Sequence, residues 1–162
     1  MTVAELFLKT KLILKEPVPW GTPVSECGEG VYVVARVGNA NGGCEACELP
    51  FKDPLPSNLV INPEYDRQRW PPNEPVLYIG GTKRSLCVRI AEFYCHKVGD
   101  KSPHAGGQVV KLLECGLWVY WSPTTHPGGC ENKMLSAFEK KAGQPPFANG
   151  ERGKPMRIRC ST

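Results

Sequence analysis

The chain has 162 residues, of which 41% are hydrophobic and 22% charged, so its length fits one domain with a single core and leaves too little chain for two. Its 17 glycines and 16 prolines exceed the average share but stay below that of a disordered or low-complexity chain, so we expect a globular fold with long ordered loops. The longest apolar run, residues 31–35, is far shorter than a membrane span, and the first 15 residues do not form a signal-peptide pattern. We therefore expect a cytoplasmic protein with no membrane partner.

The net charge of +4 is unevenly distributed along the chain. Residues 132–162 carry seven basic and two acidic side chains, which leaves the first 131 residues close to neutral. A basic tail over residues 151–162 suits a polyanionic partner such as nucleic acid, because binding to phosphates releases counterions. Charge alone fits a solvated, solubilising tail equally well.

The first half of the chain contains one clear strand and one long loop. A short apolar-periodic opening and a proline-rich stretch over residues 17–23 precede residues 31–37, whose β-branched side chains predict a buried strand that ends at Gly38. Residues 38–74 are rich in glycine, asparagine and proline, which predicts an insertion made of loop. Residues 59–61 could form a short strand within it.

The second half alternates helices and strands. Residues 75–81 predict a second strand that stops at a glycine pair, and Ser85 is a plausible N-cap for a helix whose apolar face carries Leu86, Ile90 and Phe93. Further elements are predicted as a helix over 108–114, a strand over 117–121, and a helix over 131–141 that Gly143 ends. The order predicts an α/β (α+β) domain with a small, mainly antiparallel three-stranded sheet flanked by helices.

Five sequence elements occur in a recognisable order on these predicted strands and helices. They are Gly30, Val31 and Tyr32 on the first strand; Tyr78, Ile79 and Gly80 on the second; Arg89 on the helix that follows; Glu131 on a later helix; and Asn149 beyond it. Over roughly residues 28–150 this order resembles the GIY-YIG nuclease family. One short triplet is weak evidence, whereas five elements in order are much more specific.

The resemblance implies an endonuclease that hydrolyses DNA phosphodiester bonds with Mg²⁺ or Mn²⁺. Glu131 would hold the ion, whose preference for oxygen ligands and retained waters suits a single carboxylate. Arg89 would face the phosphate as a planar charge, Tyr32 would take a proton from water or orient it, and Tyr78 and Asn149 would complete the pocket. One metal site cuts one strand, so cleavage of both strands would call for a homodimer.

Two further residues are expected to bind substrate, and both relate to departures from the family pattern. Lys83, together with Arg89, would supply positive charge near the Tyr32 phenol. The family often has a tyrosine or histidine where this chain has Phe93, and His104 could replace that phosphate contact. The second departure is the long 38–74 segment between the two triplets, where the family has a short connection.

The eight cysteines more often indicate packed thiols or a metal site than disulfides in a reducing compartment. Cys44 and Cys47 have the spacing of half a zinc site. Cys27, Cys130 and His126 are the candidates for the remaining ligands of a structural zinc. A lone pair of this spacing often binds nothing, so both interpretations stand at this point.

Each site residue also has an ordinary structural interpretation. A strand tyrosine is usually packing, Arg89 alone is most simply a salt-bridge residue, Glu131 could be an acidic residue in a first helical turn, and Asn149 before a glycine is a turn signal. Two alternative functions follow from this. One is a non-catalytic nucleic-acid-binding module on the same fold that uses its charge and exposed tryptophans, for which Trp70, Trp118 and Trp121 are the candidates although such residues are more often core. The other is a zinc-stabilised interaction domain.

Overall fold

The structure is a computed structural model that describes residues 1–57, 59–60, 63–100, 107–150 and 159–160. Within these residues the strands are β1 (Val18–Pro19), β2 (Gly30–Ala35), β3 (Leu59–Val60), β4 (Val76–Thr82), β5 (Trp118–Pro123) and β6 (Arg159–Cys160). The α-helices are α1 (Val3–Thr10), α2 (Pro63–Arg69), α3 (Leu86–Cys95) and α4 (Pro127–Ala142). Two short 3₁₀ helices span Gln108–Leu112 and Phe147–Asn149.

The main sheet has four antiparallel strands in the order β1-β5-β2-β4. The mixed α/β class agrees with the sequence-based expectation, but the predicted number of three strands was wrong. The additional strand is β1, which pairs Val18 with Val119 and Pro19 with Trp118 at the sheet edge. A two-residue strand shows no periodicity, and proline fits only an edge position because it lacks an N–H group.

Strand β2 lies in the middle of this sheet, and all six of its residues are buried. Its side chains alternate between two apolar clusters, as the period of a strand requires. Tyr32 and Val34 pack on the face covered by α3, whereas Val31 and Val33 pack on the face covered by α1 and α4. Helices on both faces explain why the sequence of β2 is apolar throughout.

The insertion does not separate the two triplet-bearing strands. β2 and β4 pair directly, with Tyr32 opposite Gly80 and Val31 opposite Gly81. Within the insertion, β3 pairs with β6 near the end of the chain, and α2 occupies a stretch predicted to be loop. Helix α2 has seven residues and begins at a proline, so it offers too short a pattern to predict.

The base of the insertion is fixed by contacts of two side chains, Arg36 and Trp70. The Arg36 guanidinium donates to the carbonyl oxygens of Pro72 (2.8 Å) and Glu74 (2.9 Å) and lies 4.8 Å from the centre of the Trp70 ring. The Trp70 indole N–H donates to the carbonyl of Cys47 at 2.8 Å. The insertion is therefore packed onto the sheet at its two ends.

Three predicted boundaries differ from the structure. The helix expected over 108–114 is a five-residue 3₁₀ helix, and its adjacent β-branched valines disfavour a longer α-helix. Helix α4 begins at Pro127, four residues earlier than expected, and ends as predicted at Gly143, which has a positive φ of 77°. Strand β4 passes through its glycine pair and ends at Thr82.

In the described part of the chain, none of the helices has both the length and the apolar character needed to cross a bilayer.

Candidate active site

The glycine pair of β4 leaves space for functional side chains on both faces of the sheet. A Cβ atom on Gly80 would lie 2.8 Å from the Tyr32 hydroxyl oxygen and 2.9 Å from the Tyr78 ring. A Cβ atom on Gly81 would lie 2.8 Å from a carboxylate oxygen of Glu131. Because β4 is an edge strand, the phenols on one face and the carboxylate on the other lie close to the same edge of the sheet.

The two tyrosines form a buried aromatic cluster with Phe93. The ring centroids of Tyr32 and Tyr78 are 5.9 Å apart, and Phe93 lies 6.4 Å from the first and 5.4 Å from the second. The Tyr32 hydroxyl is hydrogen-bonded to Tyr78 and Arg89. Burial raises the pKa of Tyr32 to about 12, and the Arg89 charge opposes this only in part. Burial also raises the pKa of Tyr78 well above its usual value.

Arg89 projects from α3 toward these phenols and is held by a carboxylate on the same helix. Its guanidinium lies 3.7 Å from Glu92, at the i,i+3 spacing that brings helical side chains together. Arg84 contacts the same carboxylate at 2.5 Å, and this hydrogen bond lowers the pKa of Glu92. Glu92 therefore stays ionised and fixes two cations. The sequence contained this signal in its spacing, but the prediction did not include Glu92.

Glu131 projects from the second turn of α4 toward Gly81. The backbone N–H of Gly81 donates to its carboxylate, and the charge of Arg89 acts on it as well. Both interactions lower the pKa of Glu131, but burial outweighs them and raises it above the usual value. The helix dipole favours an acidic residue only in the first turn of a helix. Because α4 begins at Pro127, Glu131 lies beyond that turn, so the dipole does not account for its position.

Asn149 makes two hydrogen bonds to the backbone of β4. Its side-chain oxygen accepts from the N–H of Ile79 at 2.9 Å, and its amide nitrogen donates to the carbonyl of Ile79 at 2.7 Å. Ile79 lies between Tyr78 and the glycine pair. Asn149 therefore satisfies the outer edge of β4 where the site residues are attached.

The two expected substrate-binding residues differ in how far the structure describes them. Lys83 is exposed and follows directly after β4 in the chain. His104 lies outside the described residues. Tyr94 on α3 and His96 at its C-terminal end contact residues outside the site. The Tyr94 hydroxyl donates to the carbonyl of Thr22 at 2.8 Å, and His96 is buried against Gln108.

The cysteines of the insertion face a cation supplied by the protein. The Arg36 guanidinium donates to the sulfur of Cys47 at 2.7 Å and to that of Cys44 at 2.9 Å. The other proposed zinc ligands have different neighbours, since Cys27 lies against Cys87 and Cys130 against Thr124. No group of three or more potential metal ligands occurs within the residues that the structure covers. A structural zinc stays a prediction that the structure does not test.

The structure thus brings four of the predicted residues to one place: Tyr32, Tyr78, Arg89 and Glu131. Together they offer two neutral hydroxyls, a planar cation and a partly buried carboxylate, which is a set able to position a phosphate and one divalent ion. Comparisons with protein-family models, curated proteins and solved structures found no match to the chain.

Proposed function

We propose that this protein is a GIY-YIG-type endonuclease that hydrolyses DNA phosphodiester bonds with Mg²⁺ or Mn²⁺. The observation that supports this most is the interaction of Tyr32, Arg89 and Glu131 across the edge of β4. Phosphodiester hydrolysis needs an oriented water and neutralisation of charge on the phosphoryl oxygens. These three side chains supply the required groups from the chain itself.

The metal requirement rests on the chemistry of Glu131. Its carboxylate is partly buried, and burial raises its pKa, so a bound cation would stabilise the ionised form. A single carboxylate suits Mg²⁺, which keeps several waters and binds few protein ligands. When bound, the ion would lower the pKa of a coordinated water and neutralise developing negative charge.

The tyrosines act in this proposal as neutral hydroxyls. With a pKa of about 12, the Tyr32 hydroxyl stays protonated at pH 7. Its hydroxyl would therefore orient the attacking water, while Arg89 binds a non-bridging phosphate oxygen. Glu92 positions Arg89, and Asn149 positions the strand that carries Tyr78.

DNA is the proposed partner, and the basic C-terminal region would add contacts to its phosphates. The rival binding module would use charge and exposed tryptophans, but Trp70 and Trp121 are only 6% and 7% exposed and belong to the core. Trp118 packs against the other apolar cluster. Stacking of bases on these rings is therefore disfavoured, and recognition falls to the insertion, the N-terminal arm and the basic tail.

The experiment is incubation of supercoiled plasmid and short duplexes with the protein in Mg²⁺ or in EDTA. We expect cleavage in Mg²⁺ that EDTA and Glu131→Gln abolish, while DNA binding persists in both. Glu64→Gln is the matched control, since Glu64 is an exposed carboxylate that forms an ion pair with Arg67 at 4.0 Å on α2.

Two results would contradict the proposal. Cleavage that persists at full rate in Glu131→Gln would place the activity elsewhere, and binding without cleavage at any divalent ion would support the binding module. Sedimentation of the protein with DNA then distinguishes a nicking monomer from a homodimer that cuts both strands.

A further inference from the structure

Two cysteines from distant parts of the chain lie against each other at the N-terminus of α3. The sulfur atoms of Cys27 and Cys87 are 3.9 Å apart, although 60 residues separate them. Cys27 is exposed and Cys87 partly exposed, so both are accessible to small reagents. Neither residue belongs to the proposed nuclease machinery.

The backbone holds this pair in register. The N–H of Cys87 donates to the carbonyl of Glu26 at 2.9 Å, and the N–H of Leu86 donates to the carbonyl of Gly28 at 2.9 Å. These two bonds flank Cys27 on both sides and align its segment with the first turn of the helix. A disulfide needs such close, aligned backbones, because its geometry tolerates little deviation.

The two thiols have different chemical environments. Cys87 is the second residue of α3, where the helix dipole favours a negative charge, and the Ser85 hydroxyl lies 3.0 Å from its sulfur. The Ser85 hydrogen bond is the main cause of a lowered pKa of the Cys87 thiol. The pKa of the Cys27 thiol is raised, chiefly by its hydrogen bond with Cys87. Cys87 is therefore the better nucleophile at neutral pH, and Cys27 is the adjacent thiol that can react with it afterwards.

We propose that Cys87 is a peroxide-reactive thiol and that Cys27 resolves its oxidised form into a disulfide. The Cys87 thiolate attacks the O–O bond of hydrogen peroxide or an organic hydroperoxide, takes one oxygen as sulfenic acid, and releases hydroxide or alkoxide, which is protonated. Cys27 sulfur then attacks the Cys87 sulfur. The S–S bond forms, the S–O bond breaks, and the oxygen leaves as water with the Cys27 proton. The peroxide is reduced by two electrons, which the two thiols supply. A dithiol reductant then reduces the disulfide and restores both thiols.

The test uses the full chain, treated with hydrogen peroxide, quenched by alkylation and digested for peptide mass spectrometry. We expect a peptide pair linked through Cys27 and Cys87 that has lost two hydrogen atoms and separates again in dithiothreitol. In Cys27→Ser the sulfenic acid should accumulate on Cys87 and be trapped by dimedone. In Cys87→Ser the linked peptide should be absent, and Cys27 should stay alkylatable.

Cys95 provides a matched comparison within the same protein. It is exposed and ends the same helix, where the dipole disfavours a thiolate. We expect Cys87 to react with peroxide at least about ten times faster than Cys95 at pH 7. Equal rates for the two residues would overturn the proposal, as would a first disulfide between another pair such as Cys44 and Cys47. The readout does not involve DNA, so it stands or fails independently of the nuclease proposal.

Discussion

Substitution of Gly81 by alanine should displace the Glu131 carboxylate without removing it, so it tests whether the position of this group matters. The added Cβ would lie 2.8 Å from a carboxylate oxygen of Glu131 and 3.0 Å from the backbone oxygen of Pro127. The helix backbone yields less readily than the end of a side chain, so the carboxylate moves. It then loses its hydrogen bond from the Gly81 N–H, while the carboxylate itself is retained.

The expected cost follows from this lost contact. A hydrogen bond to a charged group contributes about 1.5–3 kcal/mol, which corresponds to a rate loss of roughly 10- to 150-fold if it is fully expressed in the transition state. A displacement of about 1 Å in a catalytic group gives a similar factor of about 100. Stability should fall by about 0.5–2.5 kcal/mol, because the same lost hydrogen bond weakens the fold and the preference of alanine over glycine in a strand, about 0.5–1 kcal/mol, offsets only part of it.

The assay is the initial rate of plasmid cleavage in Mg²⁺, with urea denaturation of the same samples. Gly129→Ala is the control, because it lies two residues before Glu131 on α4 and a Cβ there would meet nothing within 4 Å. Its rate should equal that of the unchanged protein. If Gly81→Ala also cleaves at the full rate, the contact between Glu131 and β4 does not organise the site.

Three other predictions concern the same site. Asn149→Ala removes both partners of the Ile79 backbone groups, so the free energy of unfolding in urea should fall by about 2–4 kcal/mol; a loss below about 0.5 kcal/mol would contradict the role assigned to Asn149. Burial raises the pKa of Glu131 in the folded protein, so its ionisation weakens the fold as the pH rises through that pKa. Glu131→Gln has no carboxylate to ionise and does not lose stability in this way. Its free energy of unfolding without divalent ions, compared with that of the unchanged protein, should therefore be higher at pH 8 than at pH 4. If the difference between the two proteins does not grow with pH, the carboxylate of Glu131 is not destabilised by burial. Tyr32→Phe keeps the ring packing but removes the hydroxyl, so DNA cleavage should fall about 100-fold with less than about 1.5 kcal/mol lost in thermal unfolding, and a merely structural tyrosine would leave cleavage unchanged.

The sequence predicted those parts of the fold that have a clear period or a clear stop signal. Strands β2, β4 and β5 and helices α3 and α4 fall in this class, and Gly143 ends α4 as expected. Strand β1 could not be predicted because two residues carry no period, and one of them is proline.

The candidate site shows the same division between local pattern and long-range packing. The order of its elements predicted that Tyr32, Tyr78, Arg89 and Glu131 would meet. The sequence did not reveal that Asn149 would bind the backbone of β4, since that contact spans 70 residues. It also showed the glycine pair only as a strand end, because a glycine that makes room for a neighbour resembles one that terminates a strand.

The Arg36 guanidinium holds the beginning and the end of the insertion together. Its donor groups reach the segment that leaves β2 at Cys44 and Cys47 and the segment that returns to β4 at Pro72 and Glu74. One cation therefore fastens the outgoing and incoming chains together, so changes of length between them cost little loop entropy and leave the strand register undisturbed. Between these two anchors the insertion is tied to the rest of the chain again through the pairing of β3 with β6, so a change of length there has to preserve that small sheet but not the register of the main one.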